Sequence, residues 1–527
     1  MRGATANAWV LGRAFARRDR WLVMWFTVGV TLLYWAQAYS VDGLYRTQAE
    51  FDRAAASMQH NTAFIAMAGP ARALNTTGGQ VTWQASAFGA IAVALMAMFV
   101  IGRHTRAEEE SGRDELVRAG AVGRLAPMVA AYGVAAAAAA IVGAGVTLSL
   151  VAYGLGTAGA IALGLGLFLC GTAFGAIALI AVQMVSSTRG AYGLTGAVIG
   201  AAYGLRAIGD VGNGSASWLS PIGWYQAMHA YSGERWWPAG LLVALSVLCL
   251  VLAVTLFQRR DVGAGLWPER PGPARAGASL AGALGLSWRL QRNAVYGWAG
   301  GLLAGGVGYG TIGDDVQSLI GDSDFAKDVF AAGGPDLIDS FYAASALMLA
   351  LIASGFAVSS ALRPRGEEAA GRTEALLSTA LRRRTWLGGQ LLITIAGTVI
   401  VLALSGLGLG LGFALVTGNA GRIGPFAGAA VSLTPGVLLV AAVATLLVGA
   451  RPGWSGLAWL PLVFCVVVMM FGAALRLPRW LTELSPFRHL ARVPAEPMDW
   501  TAALVVLMLA AAVGGAGVIA LERRDMH

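Results

Sequence analysis

Residues 85–124 read "ASAFGAIAVALMAMFVIGRHTRAEEESGRDELVRAGAVGR", an apolar run that ends abruptly in a dense cluster of charges. The first 18 residues of this stretch carry no charged side chain. A run of that length is sufficient for a transmembrane helix, which needs about 17–25 apolar residues. The stretch therefore predicts a membrane span followed by a polar segment outside the bilayer.

Similar apolar runs recur along all 527 residues, of which 57% are hydrophobic and 12% charged. Soluble proteins have a charged fraction of about 25%. We predict an all-α integral membrane protein with about twelve transmembrane helices, arranged as two tandem six-helix halves. The spans of the first half start near Trp21, Ala85, Leu125, Ala160, Ala191 and Ala239. Those of the second half start near Ala294, Ser340, Trp386, Ala429, Ser455 and Thr501.

The basic residues indicate how the chain is oriented. Its formal net charge is +9. With the N-terminus in the cytoplasm, most Lys and Arg residues fall in cytoplasmic loops, whereas Asp and Glu divide almost evenly between the two sides. The positive-inside rule produces this distribution, so the charge predicts cytoplasmic N- and C-termini and no nucleic-acid partner. We interpret the first span as an uncleaved anchor, because its apolar run reaches spanning length.

The charged segment returns in the second half as "RGEEAAGRTEALLSTALRR" (Arg365 to Arg383), and both copies contain the spacing E-E-x-x-G-R-x-E. Three weaker similarities between the two halves occur in the same order along the chain: "RRDRWLVMW" with "QRNAVYGW", "FIAMAGP" with "VFAAGGP", and "LSPIGWYQ" with "LSPFRHLA". Halves with an even number of spans insert in the same orientation, and a transport pathway lies between such repeats in known carriers. We predict a first transmembrane half at 1–257, a cytoplasmic linker at 258–290 and a second transmembrane half at 291–527.

Each E-E-x-x-G-R-x-E segment lies on the predicted cytoplasmic side, between spans two and three of its half. On a continuous helix Glu109 and Arg113 pair at i,i+4, Glu108 and Glu115 share one face, and Gly112 permits a bend. One interpretation is a solvated loop whose charges only hold the topology, but acidic residues contribute little to orientation. We favour a docking helix that presents carboxylates to a basic groove of a soluble partner; another intracellular contact is the third alternative.

The residues that several other functions need are absent from the sequence. The single lysine, Lys327 in "FAKDV", excludes a G-x-x-x-x-G-K-[ST] phosphate loop on the membrane's inner side. Five scattered His residues and three Cys residues predict no metal site, and Cys170, Cys249 and Cys465 fall within predicted spans, without a disulfide framework. No Asp or Glu lies in the interior of a predicted span, where ion-coupled carriers usually place one. We predict a transport subunit that is not an enzyme and is driven from outside the chain.

The polar segments, together with the Ala/Gly/Trp-rich layout of nearly the whole chain, resemble ABC-2-type exporter permeases of actinobacteria. The resemblance is to tetronasin-type exporters of polyketide antibiotics and to related multidrug efflux systems. It implies export of hydrophobic or amphiphilic, drug-like compounds across the bacterial plasma membrane. It also implies a separately encoded ATP-binding subunit, present in two copies, on which ATP and Mg bind, while this chain binds no cofactor.

The resemblance also assigns coupling residues, because short helices between spans two and three transmit the nucleotide-driven motion in that family. By this resemblance, the first coupling element of this chain comprises Glu108, Glu109, Gly112, Arg113 and Glu115. The second comprises Glu367, Glu368, Gly371, Arg372 and Glu374. The copies differ where Glu110 becomes Ala369 and Asp114 becomes Thr373, so the two docking faces need not be equal. The N-terminal stretch "NAWVLGRAFARRDR" resembles the family's amphipathic helix on the inner leaflet.

Two other functions are alternatives to this one. A secondary, ion-coupled multidrug carrier of the major-facilitator type also has six plus six helices, but "GRHTRAEEESGR" does not supply the G-x-x-x-D-R-x-G-R loop usual there. A lipid-linked glycosyltransferase would use acidic residues of the first outer loop, and Asp42, Glu50 and Asp52 are present there without a recognisable motif.

Two features of the predicted spans are interpreted as structural rather than as parts of a transport site. We interpret Arg206 and Asp210, at i,i+4, as a snorkelling pair near the outer surface rather than a substrate contact. Glycine strings such as "GLGLGLGF" (Gly406 to Phe413) permit close helix packing, although single G-x-x-x-G matches identify no particular contact. The sequence identifies no substrate-binding residue.

Overall fold

The computed structural model describes residues 3–44, 47–58, 62–261, 263–267, 274–275, 277, 280, 282–311, 337–379, 381–471 and 478–524. These residues form helices and connecting turns, and no strand occurs among them, which confirms the all-α fold class. Lys327 and the repeated segment "VFAAGGP" (Val329 to Pro335) lie outside the described residues.

The described residues of the first half form six long helices with shorter ones between them. They are α1 (Ala8–Leu44), α2 (Gln48–Met58), α3 (Thr62–Ala68), α4 (Thr77–His104), α5 (Arg106–Glu110), α6 (Arg113–Arg118), α7 (Ala126–Ala152), α8 (Thr157–Met184), α9 (Thr188–Val211), α10 (Pro221–Gln226) and α11 (Trp237–Gln258). A 3-10 turn at Ala216–Leu219 precedes α10.

The second half repeats this order with local differences. Its helices are α12 (Ala283–Gly310), α13 (Leu337–Ala361), α14 (Arg363–Ala369), α15 (Arg372–Leu377), α16 (Arg383–Thr417), α17 (Ile423–Ser432), α18 (Thr434–Ala450), α19 (Leu460–Phe471), α20 (Arg479–Thr482) and α21 (Trp500–Arg523). 3-10 turns also lie at Ala420–Arg422, Pro452–Trp459 and Pro486–His489.

Within the described residues, 10 helical stretches are long and apolar enough to cross a membrane, and they coincide with ten of the twelve predicted spans. The predicted spans that start near Ala191 and Ala294 also lie on helices, α9 and α12. These two helices are less apolar because they contain charged side chains, namely Arg189, Arg206 and Asp210 in α9, and Arg289 and Arg292 in α12. The chain is a multi-pass helical membrane protein.

The chain divides into two compact units, Met1–Gly272 and Pro273–His527, each with its own apolar core. In the first unit, the core is built largely from α4, α7 and α8. In the second, it is built largely from α12, α13, α16 and α18. The predicted boundaries at 257 and 290 stay a prediction.

Glycine contacts determine which helix faces approach most closely in the second unit. A Cβ atom at Gly306 of α12 would lie 2.2 Å from the carbonyl oxygen of Ser405, and one at Gly408 of α16 would lie 2.2 Å from that of Leu303. Real Cβ atoms do not approach a backbone oxygen this closely, so only glycine fits at these positions. The backbones of α12 and α16 therefore touch directly, as small residues permit in membrane helices.

Arg206 has a different environment from the one predicted. It is fully buried, lies 3.3 Å from Asp210, and donates to the carbonyl oxygens of Ile65 at 3.4 Å and Met67 at 3.0 Å. The i,i+4 pair is confirmed, but the prediction of a snorkelling side chain is wrong. The carbonyl group of Ile65 also accepts from the backbone N–H of Gly69 at 2.9 Å, and these carbonyl groups in the last turn of α3 hold the guanidinium inside the unit.

The N-terminal stretch "NAWVLGRAFARRDR" is also placed differently. It is continuous with the first span in α1, a single helix of 37 residues, and does not form a separate helix lying on the inner leaflet. Neither glycine nor proline occurs between Arg13 and Val28, so nothing in the local sequence ends the helix before the apolar run begins.

Candidate functional site

The two polar segments share one backbone geometry. In the first, Gly112 separates α5 from α6 and has a φ of 72°; in the second, Gly371 separates α14 from α15 and has a φ of 69°. Glycine adopts this left-handed conformation without the steric cost that a Cβ atom imposes. The bend predicted at the repeated glycine is confirmed in both copies.

The bend changes the ion pairs that a continuous helix would form. Arg113 pairs with Glu108, its Nε donating to Oε2 at 2.8 Å, and not with Glu109 as predicted. Arg372 likewise donates to Glu367 at 2.6 Å. In both copies the partner lies five residues back rather than four, because the left-handed glycine interrupts the helical period.

The second glutamate of the first segment points into its own unit. The side chain of Glu109 is only 5% exposed. Arg106 donates to its Oε2 at 2.8 Å, and Arg260 donates to both of its oxygens, at 2.6 and 2.9 Å. Bidentate contacts between arginine and carboxylate are the stronger and more directional ion pairs. Since Arg260 follows α11, this contact joins the segment to the end of the sixth span.

The same arginines join Glu109 to the end of the fourth span, α8. The Nε of Arg106 donates to the carbonyl oxygen of Val182 at 3.1 Å, and the Nε of Arg260 donates to the side-chain oxygen of Gln183 at 2.5 Å. The last carbonyl groups of a helix have no intrahelical partner and carry partial negative charge. A buried guanidinium therefore satisfies both the carboxylate and the helix end.

The second unit repeats this contact with fewer residues. Arg524, which follows α21, donates to both oxygens of Glu368, at 2.6 and 2.8 Å, and to the carbonyl oxygen of Val448 at 3.0 Å. Val448 lies two residues before the end of α18, as Val182 does in α8. We call this arrangement the arginine clamp: Glu109 with Arg260 in the first unit, and Glu368 with Arg524 in the second.

Arg260 and Arg524 are absent from the residues predicted from the sequence. Both lie in the tripeptide R-R-D that directly follows the last span of each half, at residues 259–261 and 523–525. This repeat would have indicated them if the ends of the two halves had been aligned. Arginines near a span end are common for topological reasons, so charge alone did not distinguish these two from their neighbours.

The first segment is also held by α1. Arg18 forms an ion pair with Glu108. One residue further on, the fully buried Asp19 accepts a hydrogen bond from Arg103 at 2.6 Å, and its other oxygen lies 2.6 Å from Nε2 of His104. Asp19 lies two residues before the predicted start of the first span, so this buried carboxylate was not among the predicted site residues.

Only part of each predicted coupling element is exposed. The side chains of Glu108, Glu109, Glu367 and Glu368 are at most 14% exposed and pair with arginines of their own unit. After the left-handed glycine, the exposed residues include Arg113, Glu115 and Leu116 in the first segment, and Arg372, Glu374 and Ala375 in the second. Because Gly112 redirects the chain, Glu108 and Glu115 do not share a face. That the segments dock a partner stays a prediction.

Two charged side chains of the segments have further local contacts. The hydrogen bond to Glu367 raises the pKa of Arg372 above its ordinary value. Glu110, which has no acidic counterpart in the second segment, accepts hydrogen bonds from the backbone N–H of Thr188 at 3.0 Å and from its hydroxyl at 2.7 Å, at the start of α9. Glu110 therefore acts as a helix cap.

The bend offers a direct test of backbone strain. We expect Gly371→Ala to destabilise the second unit by about 1–2 kcal/mol, because alanine resists the left-handed conformation. A Cβ atom at this position meets nothing within 4 Å, so no clash contributes. Gly366→Ala, in α14 and equally uncrowded, is the matched control and should be neutral or stabilising by up to about 1 kcal/mol. Thermal unfolding of the purified variants measures the difference, and equal effects would contradict the assigned backbone.

A relative from Mycobacterium tuberculosis, "Multidrug efflux system permease protein Rv1217c", is 35% identical to this chain over 524 residues, which is 98% of this chain and 94% of the relative. This chain belongs to the same permease family. The family described as "Multidrug efflux system permease Rv1217c, C-terminal domain" matches residues 280–521. That region of the permease contains the whole second polar segment and ends three residues before Arg524.

Membership in the permease family agrees with a membrane transport component rather than an enzyme. Among the described residues of the permease, no group of three or more His, Cys, Asp or Glu side chains is placed to hold a metal ion. Cys170, Cys249 and Cys465 are buried as free thiols.

Proposed function

We propose that this chain is the membrane-spanning permease of an ATP-driven exporter of the ABC-2 type. It moves hydrophobic or amphiphilic, drug-like compounds, such as polyketide antibiotics of the tetronasin type, out of the cell across the plasma membrane. A separate ATP-binding subunit, in two copies, binds ATP and Mg and meets the permease on the cytoplasmic side, where both chain termini lie. Multidrug efflux, the activity in the name of the Mycobacterium tuberculosis relative, supports the substrate class.

The arginine clamp is the observation that supports this mechanism most directly. In each unit, one buried carboxylate ties the polar segment to the ends of spans four and six. A force applied to the segment is transmitted to both spans, because breaking the buried ion pair would leave a buried charge without its partner. Nucleotide binding by a partner can shift a permease between two states only through contacts that differ between them. The segments are suitably placed for such contacts.

The exposed part of each segment is the surface we assign to the partner. Glu115 and Glu374 occupy equivalent positions in the two copies, each three residues after the left-handed glycine, and both are exposed. Arg113 and Arg372 lie beside them with 53% and 60% of their side chains exposed. The buried glutamates then act as positioning residues within the permease, and the exposed ones as contact residues.

Charge reversal at the exposed glutamates tests this assignment. We expect the double variant Glu115→Lys, Glu374→Lys to lose co-purification with the ATP-binding subunit and to lose at least nine-tenths of ATP-driven dye export from inverted vesicles. Its thermal unfolding should match that of the unmodified permease, because exposed side chains contribute little to stability. Glu483→Lys, an exposed site that follows α20, is the control and should export normally.

Two results would contradict the proposal. One is normal ATP-driven export by the double variant. The other is export that a proton ionophore abolishes while ATP is held high, which would favour the secondary, ion-coupled carrier.

A further inference from the structure

One side of α1 carries basic and aromatic side chains that point away from the core of the first unit. Successive members of this set are three or four residues apart, so they form one slanted row on the helix surface. We call this row the arginine–tryptophan ridge, and its members are Trp9, Arg13, Arg17, Arg20, Trp21 and Trp25. All of them are exposed.

The three arginines of the ridge have no acidic partner within the described part of the chain. The two residues between Arg17 and Arg20 are used differently. Arg18 pairs with Glu108 of the first polar segment, and the buried carboxylate of Asp19 accepts from Arg103 at 2.6 Å. This turn of α1 therefore directs one arginine and its only carboxylate toward its own unit, and leaves the positive charges of the ridge on the surface.

The ridge lies at the inner surface of the membrane in the predicted orientation. Residues 21–41 contain no charged side chain, and at 1.5 Å per residue they measure about 31 Å, close to the thickness of the hydrocarbon core. Trp21 therefore marks the inner edge of the core. Arg17 lies about 6 Å beyond Trp21 and Arg13 about 12 Å beyond it along the helix. The head-group layer is about 5–7 Å thick on each side, so the long arginine side chains reach the lipid phosphates.

Two of these arginines are stacked on tryptophans of the ridge. The Cζ atom of Arg13 lies 4.9 Å from the ring centroid of Trp9, and that of Arg20 lies 5.4 Å from the ring centroid of Trp21. Stacking on a ring face attracts the guanidinium and leaves its planar edge of N–H donors free, and this edge matches a phosphate group. Membrane orientation requires only positive charge near the end of a span. It explains neither the stacking nor the placement on one side of the helix.

We propose that the arginine–tryptophan ridge binds the phosphate head group of an anionic phospholipid in the inner leaflet. The guanidinium groups of the ridge supply the charge and the donors. Trp25 lies one turn deeper than Trp21 and is 66% exposed, so it can contact the acyl chains of the same lipid. A phospholipid fits this surface better than a soluble anion, because the ridge continues from the arginines into the hydrocarbon core. Any effect of this lipid on export rests on the proposed function, but binding itself does not.

Native mass spectrometry of the purified full-length chain tests this site without the ATP-binding subunit. The chain is released from micelles that contain equal amounts of phosphatidylglycerol and phosphatidylcholine, and the retained lipids are counted. We expect the unmodified chain to prefer phosphatidylglycerol at least tenfold, and the double variant Arg13→Gln, Arg17→Gln to lose this preference. Each arginine near an anionic membrane surface contributes about fivefold in affinity, so the single variant Arg17→Gln should lose about fivefold.

The double variant Arg289→Gln, Arg292→Gln is the matched control, because these exposed arginines precede the first span of the second unit. It should keep the preference for phosphatidylglycerol. Both double variants should unfold at the temperature of the unmodified chain, since the substituted side chains are exposed.

Four results would overturn the assignment. They are equal retention of the two lipids by the unmodified chain, an unchanged preference in Arg13→Gln, Arg17→Gln, an equal loss in the control, and displacement of phosphatidylglycerol by inorganic phosphate. An unchanged lipid preference together with lost co-purification of the ATP-binding subunit would instead assign the ridge to that soluble partner. Failure of the lipid measurements alone leaves ATP-driven export unaffected, so the two proposals are separable.

Discussion

Glu368→Gln is expected to destabilise the second unit and, under the proposed ATP-driven function, to uncouple the permease from ATP hydrolysis. The substitution leaves the guanidinium of Arg524, which is 14% exposed, without its carboxylate. Removal of one partner of a buried ion pair costs about 3–5 kcal/mol, because the other charge stays buried and unpaired. We expect a clear fall in the unfolding temperature and at least a tenfold fall in export per ATP hydrolysed.

The clamp offers two controls for this prediction. Glu374→Gln, six residues further on and exposed, should change stability by less than about 0.5 kcal/mol. The double variant Glu368→Gln, Arg524→Gln should recover part of the loss, since paired sites in contact are not additive. If Glu368→Gln unfolds at the same temperature as Glu374→Gln, the clamp does not exist as described.

Gly408→Leu is expected to prevent correct folding of the second unit. A Cβ atom at this position would already lie 2.2 Å from the carbonyl oxygen of Leu303, and the larger side chain must separate α16 from α12. Overpacking costs about 1–3 kcal/mol where side chains can adjust, and occasionally more. Here the obstacle is backbone, which has no rotamer to change, so we expect a cost at or above the upper limit and little monodisperse protein in detergent.

Gly388→Leu is the matched control for this substitution. Gly388 lies on the same helix, and a Cβ atom there meets nothing within 4 Å. Fluorescence-detected size-exclusion chromatography should show a normal monodisperse peak for this variant and aggregation for Gly408→Leu. Similar profiles for the two variants would rule out the close contact between α12 and α16.

The position of the candidate site and the bend at its two glycines could be predicted from the sequence, but the ion pairs of its glutamates could not. The repeated spacing located both segments, and the glycine at the same place in each copy indicated the bend. The prediction for Glu109 was wrong because it assumed one continuous helix, in which a partner lies four residues away. A carboxylate can instead be neutralised by any arginine that the fold brings near, and Arg260 is distant in sequence.

By itself, the amino-acid sequence determined the all-α membrane fold, the approximate positions of the spans and the internal repeat. These depend on composition, on the length of the apolar runs and on local spacing. The sequence alone contains this information, because the length of an apolar run decides whether it spans the bilayer and the basic residues beside it decide its orientation. The tertiary structure decided which groups meet: which of the many glycines allow helices to touch, why Arg206 is buried, and which arginine closes each clamp. Such contacts join residues far apart in the chain, and neither hydropathy nor helical period carries information about those distances.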